Sequence, residues 1–533
     1  MMMLRKISLL FHTIRYLRPI QLWHQVKYRL IKPPGFDRVA FWNSREHKKQ
    51  RLLRKLTFIA PPESTTKWDG NVQFTFLNLS KRFNVEGIDW SFQDYGKLWN
   101  YNLQYLNYLL QPDVSDQDKL LVVQSLYKAL QIRQLTLEPY PVSLRSINII
   151  RWLSQNVSEE ILDILGYLYT ELDFLSRRLE YHLLGNHLLE NGFALMMGGG
   201  YFQKKEWLQR GERVLRNELK EQIVTDGAHF ELSPMYHQII FFRLLELIDW
   251  YGKYENADTD FLQFCLVQAS KMLSWMKNMV FSNGDIPLFN DAAKNIAYST
   301  PFLFQYAKEL EIDVADLPLS DSGYRSFVGN DYEIKIDTAQ IGASYQPGHA
   351  HADNLGFILY LQGKPLFVEQ GTSTYELGTR RDLERSTQAH NTVVVQAKNQ
   401  SEVWGGFRVG RRAKTTIIMD TPSTIEATHN GYKSLGVVHK RRFEMSPDQL
   451  SVQDTLSRNI DAVCYLHLYP GYKPIIHNKG LVCVDNLVSI YMEGNLDVQV
   501  EEYQYSEEYN VYHSAERLVI SFKNILTTTF QFP

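Results

Sequence analysis

Cysteine is scarce: Cys265, Cys464 and Cys483 are the only three in 533 residues. That excludes a disulfide scaffold, and their spacing supplies no cysteine metal site. Cys464 and Cys483 could pair, but free, buried thiols are expected. No run of about eighteen apolar residues occurs, so no transmembrane helix is expected. Charge of either sign is not in surplus, with 57 Lys and Arg against 59 Asp and Glu, a net −2. Nothing in that balance argues for nucleic acid as a partner. The N-terminus lacks an uninterrupted apolar segment followed by a small-residue cleavage site, so it does not read as a secretory signal. A cytoplasmic protein is expected on that ground, the periplasm being the alternative. No fixed-period repeat is visible.

Aromatics, by contrast, reach 13%, with 31 Tyr, 28 Phe and 10 Trp. Most of that excess belongs in cores, but flat rings also pack on the apolar faces of sugars. The length points to two large domains or about three smaller ones. Residues 1–60 open with Arg5, Lys6, Arg15, Arg18, Lys27 and Arg29 among Leu, Phe, Ile and Trp. This reads as one basic amphipathic helix ending at Pro33-Pro34-Gly35, followed by a basic stretch from Arg45 to Lys55. The helix would dock on the protein's own body or touch an anionic membrane surface.

A short alternating run at Val72–Leu77 reads as a strand. From Trp90 to Met279 the apolar residues recur at helical spacing in segments of roughly ten to twenty residues with short links. That pattern predicts antiparallel helix pairs in a toroid or solenoid over residues 61–325. From residue 326 to 533 short alternating or β-branched runs predominate, punctuated by Gly, Asn, Asp and Pro. Tyr332–Ile336, Leu355–Leu361 and Leu518–Phe522 are examples, and an antiparallel β-sandwich is expected. The fold class is therefore α+β and multidomain: an N-terminal (α/α) toroid, then a C-terminal antiparallel β-sandwich.

Three constellations carry chemistry. Gly348–Asn354 reads G-H-A-H-A-D-N. In an extended segment His349, His351 and Asp353 share one face. The strands on either side of Gln362-Gly363-Lys364 form a hairpin, which returns Glu369 toward His351, and His390 leads into the next strand. His351, Glu369 and His390 form an N/O set suited to a divalent metal, Zn²⁺ first and Ca²⁺ tolerated, with a structural role. A metal-free hydrogen-bonded cluster is the competing reading. The second constellation is Gly185–Asn191, where Asn186, His187, Glu190 and Asn191 interrupt an apolar helix. An Asn beside a His can hold a carboxylate; a polar helix start stitched to its neighbours is the bland alternative. The third is Asp226–His237. Ser233 suits an N-cap and Pro234 the first helical position. Tyr236 then falls in the first turn, where the helix dipole would favour a tyrosinate. Arg380, Arg381, Arg385, Arg408, Arg411, Arg412 and Lys414 crowd the sequence after the His motif and suggest a groove for an anionic substrate.

Taken together these residues resemble the heparinase II/III family of polysaccharide lyases. The resemblance rests on Gly185–Asn191, Asp226–His237, Pro287–Asp291 and the block Tyr345–Arg412, which contains GHAHADN, RSTQAHNTVVV and WGGFRVGRR. It implies an (α/α) toroid joined to a β-sandwich and β-elimination of an anionic, uronate-containing polysaccharide in the cleft between them. It further implies that Asn186 and His187 neutralise the uronate carboxylate, and that Tyr236 and His349 exchange protons with substrate. Tyr375 and Arg408, with Glu190 and Asn191, become substrate contacts. His351, Glu369 and His390 become the metal set, Glu369 standing where the family more often has Asp. Asp353 is left as support. A hydrolytic or non-catalytic polysaccharide-handling protein of surface or exopolysaccharide synthesis is the alternative, and a glycosidase would need a carboxylate pair such as Asp226 and Glu231.

Overall fold

The computed structural model describes residues 2–31, 36, 66–68, 71–155 and 162–533. The expected helix end at Pro33-Pro34-Gly35 and the basic stretch Arg45–Lys55 lie outside the described residues. The N-terminal segment is two helices rather than one, α1 (Met2–Ile14) and α2 (Pro19–Leu30). The break has a local cause. Pro19 drives the preceding Arg18 into extended backbone (φ −74°, ψ 148°), and Pro19 then starts α2, where it has no N–H to satisfy.

A small antiparallel sheet, β1 (Thr66–Trp68), β2 (Val72–Phe76) and β3 (Leu79–Phe83), precedes the main helical body. That body comprises α3 (Lys97–Tyr105), α4 (Asp116–Gln131), α5 (Pro139–Gln155), α6 (Leu162–Arg177), α7 (Gly185–Tyr201), α8 (Lys205–Gln222), α9 (Pro234–Tyr251), α10 (Thr259–Met279) and α11 (Thr300–Glu309). Helix α7 packs against α5, α6, α8 and α9 and is buried on almost every side. Its glycines let that happen. A Cβ at Gly192, Gly198 or Gly200 would come within 3.0 Å of Leu215, Leu172 or Trp250. One continuous apolar core, including Trp99, Leu126, Trp152, Leu188 and Phe241, runs through the helices as a toroid.

Strands then take over. β4 (Tyr324–Val328), β5 (Tyr332–Asp337), β6 (Phe357–Leu361) and β7 (Lys364–Phe367) form a four-stranded antiparallel sheet. β6 and β7 join through Gln362 and Gly363, both with positive φ (50° and 70°), as a tight hairpin requires. After α12 (Thr379–Glu384) come β8 (Val393–Val395), the ribbon β9 (Val403–Trp404) with β10 (Arg408–Val409), and then β11 (Thr415–Thr421), β12 (Thr424–His429), β13 (His439–Ser446), β14 (Gln449–Leu456), β15 (Asp461–His467), β16 (Pro474–Asn478), β17 (Leu481–Val484), β18 (Val488–Tyr505) and β19 (His513–Gln531). Strand β19 is shared: residues 525–531 pair with β14 and residues 517–523 with β15, while β18 runs along its other edge. Phe357, Leu359 and Phe367 of the small sheet interleave with Phe443, Val452, Ile490 and Phe530 of the large one, which makes the second half a sandwich. The three cysteines are free thiols.

Candidate active site

The site forms where the starts of α7 and α9 meet the loop that carries the His motif. Ser233 caps α9 by accepting a hydrogen bond from the Tyr236 backbone N–H (3.2 Å) and donates its hydroxyl to the carbonyl of Asp291 (2.6 Å). The capping motif thus fixes both the helix and the loop beside it. Asp291 N–H donates to the His349 carbonyl (3.0 Å), and the His351 N–H donates to Asn290 Oδ1 (2.9 Å). Asn290 adopts positive φ (57°), a conformation that Asn tolerates better than most residues. These bonds hold Gly348–Asn354 against the helical body.

Tyr236 and His349 stack, with ring centroids 3.9 Å apart and planes at 30°. The Tyr236 hydroxyl lies 3.2 Å from that of Tyr375, which in turn lies 3.5 Å from His349 Nδ1. His349 Nδ1 also faces Asp291 Oδ2 at 3.0 Å, and its Nε2 lies 3.4 Å from Glu231 Oε2. The other oxygen of Glu231 accepts the backbone N–H of Asn186 at 3.1 Å. Gly185 makes that approach achievable: its φ is +60°, and a Cβ there would sit 2.7 Å from Glu231 Oε1. Asn186 itself is buried at the start of α7. Beside it, His187 Nδ1 pairs with Glu180 Oε1 at 3.2 Å, and its ring lies 4.3 Å from Tyr140.

Electrostatics separate the roles. Burial raises the Tyr236 phenol well above its usual range, so Tyr236 is a neutral phenol. This corrects the expected tyrosinate: loss of solvation outweighs the helix dipole. Burial opposes charge on His187, yet Glu180, and behind it Glu231 and Glu190, carry its pKa above the usual value. The His187–Glu180 pair therefore stabilises the fold below about pH 6.5, and the contribution is lost as pH rises through the raised value. Burial lifts Glu231 as well.

Asp291 is the hub. Fully buried, it pairs with both guanidinium nitrogens of Arg381, one at 2.6 Å, and also contacts His349 and, at 2.8 Å, His351 Nε2. Burial alone would raise its carboxyl; Arg381 and the two histidines hold it well below the ordinary range.

Residues 314–532 match the family described as heparinase II/III-like, C-terminal, and residues 146–310 match the heparinase II/III N-terminus. The chain belongs to the heparinase II/III-like family. It is similar to a heparin-sulfate lyase of Bacteroides stercoris, 30% identical over 248 residues, which is 41% of this chain and 37% of that protein. A heparin-sulfate lyase of Pedobacter heparinus is 26% identical over 270 residues, 45% of this chain and 40% of that one. The chain thus aligns with less than half the length of these curated relatives. A crystal structure of a heparan sulfate lyase HepC mutant from Pedobacter heparinus superimposes with a TM-score of 0.61 at 16% identity, covering 96% of this chain and 88% of that one. The crystal structure of heparinase III gives 0.66 at 15% identity, covering 95% and 89%. At such identities the likeness is one of fold.

Several residues of this heparinase II/III-like chain sit differently from the sequence reading. Asn191 and Glu190, expected as substrate contacts, are engaged by partners inside the helical body. Asn191 is wholly buried, accepting from Glu180 N–H (2.8 Å) and donating to Glu180 Oε2 and Ser143 Oγ (both 3.0 Å). Glu190 pairs at 3.0 Å with Arg243, which also holds Glu246, itself paired with Arg151. Both amide hydrogens of Asn191 are spent on internal partners, and its burial leaves it no open face toward a ligand. We expect Asn191→Ala to cost about 1–3 kcal/mol, read as a lowered melting temperature, through the unpaired Glu180 groups it leaves.

The basic groove also dissolves. Arg381 and Arg385 are buried, the latter donating to the carbonyls of Ala350 and Gly406; Arg380 pairs with Glu384 and Arg411 with Glu402. Arg412 donates to the Ser344 carbonyl. Arg408 is exposed but lies over the Trp404 ring, 4.9 Å from its centroid. Its neighbour Phe407 is the residue that reaches the site, 5.1 Å from the Tyr375 ring. Asp226 accepts from Ser320, Ser322 and Ala228, which leaves no carboxylate pair with Glu231 for a glycosidase.

Ligand atoms of His351, Asp353 and His390 lie within 4.8 Å of one another. Asp353 therefore takes the place expected of Glu369, which falls outside that cluster and sits 2.9 Å from His390 Nδ1. Buried polar atoms of all four, among them His351 Nδ1, Asp353 Oδ2, Glu369 Oε1 and His390 Nε2, lack hydrogen-bond partners. Burial pushes Asp353 up to about 7 and His390 down to about 4. A divalent cation fits this set, because it would satisfy the orphaned atoms and favour ionised carboxylates beside neutral imidazoles.

Proposed function

We propose that this chain is a polysaccharide lyase that cleaves a uronate-containing polymer by β-elimination. The observation that carries the reading is the stacked Tyr236–His349 pair, joined through Glu231 to the start of α7 at Asn186. Asn186 and a protonated His187 bind the uronate carboxylate and offset the charge that develops on it as C5 is deprotonated. His349, oriented through Nδ1 by ionised Asp291, takes the C5 proton on Nε2. The electron pair forms the C4–C5 double bond, and the bond from C4 to its oxygen breaks. Tyr236, a neutral phenol, delivers its proton to that departing oxygen, with Tyr375 positioned to share the hydroxyl hydrogen bond. The relatives named as heparin-sulfate lyases support this class of substrate.

The test is a screen of heparan sulfate, alginate and bacterial exopolysaccharides for an ultraviolet-absorbing unsaturated uronate. New reducing ends without that chromophore would mean hydrolysis and would end the proposal.

A divalent cation, Zn²⁺ before Ca²⁺, would be held by His351, Asp353 and His390, with Glu369 beside His390. Its role is to tie the His motif to the strands carrying Glu369 and His390. We expect prolonged chelation to lower the melting temperature by on the order of 5 °C, restored by adding Zn²⁺. A chelated protein that melts like the untreated one would remove the metal from this account.

A further inference from the structure

We propose that helices α1 and α2 seat the protein on an anionic lipid surface. Both helices are amphipathic, yet both are docked the wrong way round for a soluble protein, polar side inward. In α2, Gln21, His24 and Tyr28 face the toroid. Gln21 is buried and donates to the Leu183 carbonyl, His24 packs on Tyr181, and Tyr28 donates to the Leu179 carbonyl (2.6 Å). On the opposite side, at the i, i+3, i+7 spacing of one helix stripe, stand Trp23 (65% exposed), Val26 and Leu30 (78%). At roughly 100° per residue, Lys27 and Arg29 flank that stripe on its two sides.

Helix α1 repeats the arrangement. Ser8 and Thr13 face the second half, accepting hydrogen bonds from Arg411 and from Trp404. Ile7, Leu10, Phe11 (65% exposed) and Ile14 point outward between Lys6 and Arg15. Residues that would normally form a helix's buried stripe therefore face out, twice in succession. Exposed apolar surface of this kind marks an interaction site.

Charge identifies the occupant. Residues 1–31 hold six basic side chains, Arg5, Lys6, Arg15, Arg18, Lys27 and Arg29, and no acid. Of these, Arg18 forms an ion pair with Glu221. A second copy would bring like charges together, and residues 37–65 carry seven basic residues against three acids, so they too would be repelled. An anionic bilayer accepts both features at once, taking the apolar stripe between acyl chains and the Lys and Arg at the headgroups. No helix of the described residues is long and apolar enough to cross a membrane, so the contact is peripheral.

The test is flotation of the full chain with vesicles of phosphatidylcholine, with and without about one-third phosphatidylglycerol. We expect co-flotation only with the anionic vesicles, weakened by added salt. Phe11→Ser/Trp23→Ser should lower the bound fraction by about tenfold or more. Lys27→Glu/Arg29→Glu should do the same while leaving the melting curve and cleavage of soluble polymer unchanged; it carries the test if the first variant fails to fold. Failure to float with either vesicle type would overturn the proposal. So would equal binding to neutral vesicles, or a lipid-free dimer that Trp23→Ser dissolves.

Discussion

Tyr236→Phe is expected to lower turnover on a uronate polymer by on the order of 10²-fold or more while leaving KM nearly unchanged. The substitution suits the question because the ring stack on His349, at 3.9 Å, survives and only the hydroxyl goes. The lost proton donor is worth about 2.7 kcal/mol at 10²-fold, larger than the roughly 1 kcal/mol expected from one lost Tyr–Tyr hydrogen bond. His349→Ala should cost at least as much, and the double variant little more than either alone, since the two groups act in one step. Wild-type turnover in Tyr236→Phe would show that another group protonates the leaving oxygen.

The second large effect is on stability. Asp291→Asn should destabilise the protein by about 3–5 kcal/mol, because it leaves the fully buried Arg381 guanidinium without its counter-charge. Arg381→Met in the same chain should restore part of the loss by removing the stranded charge. The single variant should also lose activity, since His349 loses the carboxylate that orients its ring. The pairing has a pH signature. Asp291 titrates well below the usual carboxylate range when folded, so its stabilisation is present above about pH 4 and is lost as pH falls toward the folded value. A melting temperature within a degree of wild type for Asp291→Asn would show that Arg381 has another partner.

Much of this site was legible in the sequence because short-range patterns made it. The cap at Ser233-Pro234 and the turn at Gln362-Gly363 are local rules with local outcomes; the expected extended alternation in GHAHADN is instead turns and bends. What the sequence hid was long-range pairing. Asp291 looked like a loop residue until the fold brought Arg381, 90 positions away, into its carboxylate. The same contact explains why a run of arginines that read as an anion groove became interior struts. Asn191 and Glu190 followed their helical register faithfully, but α7 is buried on both sides, so a polar face there points at other helices. Pro19 could have announced the break in the N-terminal helix; the amphipathic period on either side of it masked the signal.

The sharing of β19 bears on how the chain is made. β8, which continues directly from His390, pairs with β15; β15 in turn pairs with β19. Residues 345–412 therefore gain their supporting strands only after positions 513–531 have left the ribosome. The helical body can condense early on its local contacts, while the catalytic loop waits for strands made much later. Truncation anywhere before β19 should therefore leave a folded toroid carrying an unassembled centre, and a nascent chain at that stage would need shielding of its sandwich strands.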